Sequence, residues 1–243
     1  MKTSFKLLSM VLSSLAVVGC VAGGEPESVA AAQGAVETEN SLTVNSLTVN
    51  SLTVNSLTVN SLLSSALTDS ASRTVFTYIV GCALPDGVHL DLEIEGTTYG
   101  YDGQLGLAPG WGQAGGSCDA ACQARISSCV IARLNYYGQV VPLSARGAGL
   151  STTAAEESEY PTRDAVYFGN VFTAPQERYA CLPPGGSLTR VCGPAGAPPC
   201  EGVTHVGPCD SLCDPAAADG SYANCHAGAG GALFAEPISV YLH

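Results

Sequence analysis

Two pairs of cysteines with the same spacing are the residues best suited to chemistry. The two Cys-x-x-x-Cys pairs are Cys118/Cys122 and Cys209/Cys213. This spacing occurs in structural zinc sites, and His205 and His226 lie near the second pair in the sequence. The same cysteines can instead form disulfide bonds, so the compartment in which the protein folds decides between the two chemistries.

Three carboxylates share one face of a predicted strand. Residues 88–95 alternate between apolar and polar side chains, which is typical of a β-strand with one buried face. Asp91, Glu93 and Glu95 lie on the polar face together with His89. Such carboxylates bind calcium or act as the acid and base of glycoside hydrolysis. Successive residues on one strand face more often form a solvated surface, and this is the interpretation we favour.

Three aromatic residues are candidates for contact with a ligand. Trp111, the single tryptophan, lies in a glycine-rich segment at 105–116, and Tyr136 and Tyr137 follow later in the chain. Exposed aromatic side chains stack on sugars or anchor protein partners, so they predict a glycan or peptide contact. For Trp111, a position in the core is the interpretation we favour. Neither catalytic residues nor a cofactor are predicted, because the sequence lacks a Gly-x-Ser-x-Gly turn and the glycine patterns that bind phosphate.

The N-terminus has the pattern of an export signal. Lys2 and Lys6 lie at the start of the chain, before an apolar segment that is too short to span a bilayer. The segment ends in Val17-Val18-Gly19-Cys20, and small residues before a cysteine resemble the bacterial lipobox. The resemblance implies that residues 1–19 are removed as a signal peptide and that Cys20 is acylated.

Acylation of Cys20 would make a lipid bilayer the first partner of the protein. Lipoproteins retained at the inner membrane often carry an aspartate after the acylated cysteine, whereas this chain has Val21. We therefore expect an exported, lipid-anchored protein at the outer membrane or the cell surface.

The cysteine count agrees with export. The chain has 11 cysteines, and assignment of Cys20 to lipid leaves 11 − 1 = 10. An even number can pair completely, and the oxidising cell envelope permits disulfide bonds. We predict five disulfides and no metal site. The ten candidates are Cys82, Cys118, Cys122, Cys129, Cys181, Cys192, Cys200, Cys209, Cys213 and Cys225.

The mature chain is strongly acidic. Removal of residues 1–19 removes both lysines, which leaves 7 arginines and 21 acidic residues and a formal charge of 7 − 21 = −14. Nucleic acids and anionic lipid headgroups are bound by positive charge on a protein. This balance excludes nucleic acid as a partner.

A repetitive segment separates the predicted anchor from the predicted domain. Residues 20–39 are small and polar and predict a flexible tether, after which Asn-Ser-Leu-Thr-Val occurs four times within residues 40–62. The period of five resembles pentapeptide-repeat proteins, which implies a β-helical coil. Four such repeats make about one coil, whereas solenoids need about three stacked units. We expect a spacer here, followed by a linker at 63–74.

Residues 75–243 are predicted to form one disulfide-rich domain, mainly antiparallel β with a single helix. The helix is expected from Ser117 to Leu134, with three cysteines on one face. Glu95-Gly96 predicts a turn between two strands. Strands are expected at Val75–Val80, Val88–Glu95, Thr97–Tyr101, Val140–Leu143, Ala165–Phe172 and Ile238–Leu242.

Several segments of this domain, with the lipobox and the repeats, resemble an uncharacterised family of cysteine-rich bacterial lipoproteins. The segments are Gly-Gln-Leu-Gly-Leu-Ala-Pro-Gly-Trp at 103–111, Cys-Val-Ile-Ala-Arg-Leu-Asn-Tyr-Tyr-Gly at 129–138 and Tyr-Phe-Gly-Asn-Val-Phe at 167–172. The resemblance implies an envelope lipoprotein and adds no activity.

The sequence as a whole predicts a non-enzymatic envelope protein that binds a glycan or another envelope protein. The alternative hypothesis is a secreted hydrolase that acts on polysaccharide or cell wall through Asp91 and Glu93.

Overall fold

The structure, a computed structural model, describes residues 67–113, 116–194, 200 and 202–243, together with the backbone of 32–33 and 35–36. The predicted signal peptide, Cys20 and the repeats at 40–62 lie outside the described residues. The strands are β1 (Ala32–Gln33), β2 (Ala35–Val36), β3 (His89–Ile94), β4 (Thr97–Asp102), β5 (Leu143–Arg146), β6 (Leu150–Ser151), β7 (Thr162–Asn170), β8 (Glu177–Leu182), β9 (Thr204–Pro208), β10 (Cys225–His226), β11 (Leu233–Phe234) and β12 (Ile238–Leu242).

A six-stranded sheet in the order β2-β5-β12-β7-β8-β9 forms the centre of the fold. Neighbouring strands are antiparallel except for β8 and β9, which run parallel. The mainly β prediction is therefore confirmed, but the sheet is mixed and not purely antiparallel. Smaller two-stranded sheets are formed by β3 with β4, by β10 with β11, and by β1 with β6.

The prediction of a single helix is wrong. The described residues contain the α-helices α1 (Ser70–Ala83), α2 (Ala120–Ala132), α3 (Ala154–Glu159), α4 (Thr189–Cys192) and α5 (Cys209–Leu212), and a 3₁₀-helix at Pro109–Gly112. Of these, α2 corresponds to the predicted helix. It begins after Asp119, whose carboxylate accepts a hydrogen bond from the Cys122 amide at 2.9 Å.

Helix α1 replaces the strand predicted at Val75–Val80. Asp69 caps its first turn by accepting a hydrogen bond from the Ser72 amide at 2.9 Å. The following β-branched and aromatic residues are buried almost without interruption because α1 packs against α2 and β4. A short run that is apolar on all sides has no period, so its pattern does not distinguish a buried helix from a buried strand. The capping residue Asp69 is the sequence signal that favours the helix.

The β3–β4 hairpin follows the predicted alternation. Ile94 is buried, Leu90 and Leu92 pack against the core, and the polar residues between them face solvent. The turn lies at Glu95-Gly96, where both residues have positive φ, 50° and 79°. This backbone suits a two-residue hairpin loop and explains the glycine.

Residues of the predicted linker and tether also take part in the fold. Leu67, in the predicted linker at 63–74, is fully buried, and α1 begins at Ser70. Within the predicted tether, β2 pairs with β5 at the edge of the central sheet. Of the remaining strand predictions, Ile238–Leu242 matches β12, Ala165–Phe172 overlaps β7, and Val140–Leu143 overlaps β5 at one residue.

The disulfide prediction is confirmed by five cysteine pairs. They are Cys82–Cys129, Cys118–Cys122, Cys181–Cys209, Cys192–Cys200 and Cys213–Cys225. The first joins α1 to α2, and the third joins β8 to α5. The bridges therefore link elements that are far apart in the sequence as well as closing short loops.

Candidate functional site

An open groove of about 470 Å³ lies between α2 and the chain around β11. Its lining is contributed by one face of α2, by the ends of β7 and β8, and by the segment that runs from β11 toward β12. The apolar lining residues are Ala120, Ala121, Ala124, Ala232, Leu233, Phe234 and Ala235. The volume falls in the range of small-ligand sites, which are largely apolar with a few polar groups.

An arginine–glutamate pair forms the charged part of the groove. Arg125 on α2 donates two hydrogen bonds to the carboxylate of Glu236, and the Nη2–Oε1 distance is 2.9 Å. The same guanidinium donates to the Leu107 carbonyl at 3.1 Å. Both charged side chains keep about a third of their surface exposed, 33% and 28%. The pair is therefore held in place while it remains accessible to a ligand.

Other polar side chains of the groove are engaged within the protein. Ser128 donates to the Ala124 carbonyl at 2.9 Å, and the Asn170 side chain accepts from the Phe172 amide at 2.9 Å. Of the two β11 residues that line the groove, Leu233 is 56% exposed, whereas Phe234 is buried. A bound molecule would therefore meet an apolar floor, the Arg125–Glu236 pair and the carboxylate of Glu177.

The structure places Trp111 in the core and not on a ligand-binding surface. Its side chain is 1% exposed and lies edge-on to Phe76, with ring centroids 6.2 Å apart. This is the favoured core position, and the buried ring is not available for the ligand contact considered as the alternative. The glycine-rich segment around Trp111 folds back onto α1 through backbone hydrogen bonds.

Tyr136 and Tyr137 are exposed, at 51% and 53%. Their rings form an edge-to-face pair with centroids 5.2 Å apart. The Tyr136 ring lies against the backbone of Gly193, where an added Cβ would come within 3.0 Å of it. The predicted ligand contact of these two residues stays a prediction, now at a surface whose residues do not line the groove.

His89 lies between two carboxylates of the β3–β4 hairpin. Within this exposed cluster, His89 Nδ1 lies 2.6 Å from the Asp102 carboxylate and His89 Nε2 lies 3.1 Å from that of Asp91. The hydrogen bond with Asp102, and then the one with Asp91, raises the pKa of His89 above its ordinary value of 6.5. Gly100 makes room for this arrangement, since a Cβ there would lie 2.7 Å from the imidazole.

The groove was not predicted from the sequence. Arg125 and Glu236 are 111 positions apart, and each looks like an ordinary surface charge in the sequence. Leu233 and Phe234 belong to a strand of two residues that has no detectable alternation. Only the folding of the chain onto α2 brings these groups together.

No protein-family model, curated protein or solved structure matches this chain. Among the described residues, no helix combines the length and apolar character needed to cross a membrane.

Proposed function

We propose that the protein is an exported, lipid-anchored binding protein of the cell envelope, and that the groove beside α2 is its binding site. The observation that carries the binding role is the groove itself, an apolar floor with the Arg125–Glu236 pair at its side. Rigid elements support it on several sides, since α2 packs on β7 and is joined to α1 by a disulfide. A largely pre-formed site of this kind binds without a large ordering cost.

Export is supported by the disulfides. All ten cysteines after Cys20 are paired, which is the state that the oxidising envelope permits and the cytosol opposes. Cys20 is then the one cysteine left for acylation, in agreement with the resemblance to the lipobox. The outer membrane or the cell surface is the proposed location, and the family of cysteine-rich lipoproteins is the proposed relationship.

The charge of the protein surface limits the class of ligand that it can bind. Arg133, Arg146 and Arg190 are buried, so a large part of the positive charge is withdrawn from the surface, whereas Glu156 and Asp164 are the buried carboxylates among the described residues. The surface is therefore strongly acidic and repels anionic polymers. We propose a neutral glycan or a basic surface of an envelope protein as the ligand class.

The test is binding of the intact protein in detergent to a panel of envelope glycans and purified envelope proteins, measured by surface plasmon resonance. Ala121→Arg places a long side chain in the groove and is expected to weaken binding of the ligand roughly tenfold or more. Ala216→Arg adds the same charge at an exposed alanine outside the groove and serves as the matched control. Circular dichroism of both variants checks that the fold is kept.

A third variant separates the two candidate surfaces. Replacement of both Tyr136 and Tyr137 by alanine removes the exposed aromatic pair and leaves the groove unchanged. Loss of binding in this variant with full binding in Ala121→Arg would contradict the groove proposal and assign the site to the tyrosines. Turnover of a panel glycan that is lost in Asp91→Asn would instead support the hydrolase alternative, for which the His89–Asp91 contact is the favourable observation.

A further inference from the structure

Two disulfides near β8 lie against each other. Cys181–Cys209 joins β8 to α5, and Cys213–Cys225 joins the end of α5 to β10. The sulfur of Cys181 is 3.6 Å from the sulfur of Cys213. The sulfurs of Cys181, Cys209 and Cys213 all lie within 4.8 Å of one another, and this is the one such cluster of potential metal-ligand atoms among the described residues.

The four cysteines differ in exposure. Cys181, Cys209 and Cys225 are fully buried at 0%, whereas Cys213 is partly exposed. Of these four cysteines, Cys213 is therefore the one that offers access to a thiol from solvent. Thiol–disulfide exchange proceeds by attack of a thiolate on a disulfide sulfur and depends on access. The partly exposed Cys213 is therefore the first sulfur to react, and the sulfur of Cys181, 3.6 Å away, is the next.

We propose that these two disulfides form a thiol–disulfide exchange site that reacts with dithiols. A dithiol reduces Cys213–Cys225 to two thiols and is itself oxidised to a disulfide. The Cys213 thiolate then attacks the sulfur of Cys181, the Cys181–Cys213 bond forms, and Cys209 leaves as a thiolate that takes up a proton. The second step involves no net oxidation, since one disulfide replaces another.

The exchange preserves a covalent link between β8 and the C-terminal tail, the chain from Cys209 onward. The native Cys181–Cys209 bond spans 28 positions, and the new Cys181–Cys213 pair spans 32. Reduction of the accessible bridge therefore moves the covalent link by four positions, 32 − 28 = 4, without releasing the tail from β8. This reactivity is independent of ligand binding in the groove.

The test treats the intact wild-type protein briefly with dithiothreitol, stops exchange with acid, alkylates free thiols and maps disulfide-linked peptides by mass spectrometry. The expected result is a peptide pair joined through Cys181 and Cys213, with alkylated Cys209 and Cys225. The Cys192–Cys200 and Cys118–Cys122 bridges serve as internal controls and should give only native pairs or reduced cysteines. A time course that contains no Cys181–Cys213 pair would overturn the proposal.

A variant gives a second reading without reductant. Cys225→Ser leaves the Cys213 thiol free beside the Cys181–Cys209 bond, so alkylation is expected on both Cys213 and Cys209. Cys200→Ser leaves the Cys192 thiol outside the cluster and sets the background, with alkylation expected on Cys192 alone. Labelling of Cys209 in Cys225→Ser no higher than this background would also contradict the exchange site.

Discussion

Replacement of Asp164 by alanine is expected to lower the free energy of unfolding by about 3–5 kcal/mol, the loss typical of a buried ion pair that loses one partner. The Asp164 and Arg190 side chains are 1% and 4% exposed, and the Arg190 Nη2 atom lies 2.6 Å from the Asp164 carboxylate. The same carboxylate oxygen accepts a hydrogen bond from the Tyr167 hydroxyl at 2.7 Å. The variant would leave the guanidinium buried without its counter-charge.

This ion pair also joins parts of the chain that are distant in sequence. Asp164 lies on β7 and Arg190 on α4, and Arg190 Nη1 donates to the carbonyl of Leu134, just beyond α2. Burial raises the pKa of the Tyr167 hydroxyl well above its ordinary value of 10.0, so this group remains a hydrogen-bond donor at physiological pH. The cluster therefore joins β7, α4 and the segment that follows α2 by polar contacts inside the core.

Urea unfolding under non-reducing conditions measures the effect. Asp91→Ala is the matched control, because the Asp91 side chain is 63% exposed and its loss should cost no more than about 1 kcal/mol. The double variant Asp164→Ala with Arg190→Met should be more stable than Asp164→Ala alone, since no charge is then left unpaired in the core. Equal stability of Asp164→Ala and Asp91→Ala would contradict this account.

Removal of the Cys82–Cys129 bridge is expected to destabilise the protein by about 4 kcal/mol, according to the loop-closure entropy for its length. The bridge spans 47 positions and joins α1 to α2, with both cysteines buried in the hydrophobic core. In the unfolded chain this link removes many conformations, and that constraint is lost in the variant. Alanine is the suitable replacement for both cysteines, because serine would bury two hydroxyl groups among apolar side chains.

The Cys118–Cys122 bridge provides the control for this prediction. It spans 4 positions, from Cys118 just before α2 to Cys122 in its first turn, so the same entropy argument gives only about 2 kcal/mol for its removal. The two double-alanine variants are compared by urea unfolding of otherwise oxidised protein. A larger loss for the short bridge than for the long one would mean that native packing around the sulfurs, and not loop closure, determines their contribution.

Two local elements of this fold were predicted from local sequence patterns. The β3–β4 hairpin follows the predicted alternation and the Glu95-Gly96 turn, and α2 lies within the helix predicted from Ser117 to Leu134. Helix α1 was missed because its buried residues surround the helix, so they carry no clear period, while Asp69 before the helix gave the only distinguishing signal. The parallel pairing of β9 with β8 was not predicted, because no local pattern indicates which strands become neighbours.

The candidate site was the least predictable part of the protein. Trp111 was considered as a ligand contact because it lies in a glycine-rich segment, but its ring packs beside Phe76 in the core, as the favoured interpretation had it. The groove residues come from α2 and from the chain after β11, so their proximity depends on long-range packing. The pairing of ten cysteines was likewise predicted in number but not in connectivity, because spacing does not determine which sulfurs meet.

The intact mass of the protein, produced in a bacterium with its own signal peptide and purified from the membrane fraction, tests the central claim most directly. Export and lipid anchoring predict a chain that begins at Cys20, carries acyl groups, and gains no alkylation before reduction and ten after it, 11 − 1 = 10. A chain that retains Met1, lacks acyl mass and alkylates at its cysteines without reduction would contradict export, the anchor and the disulfide framework together.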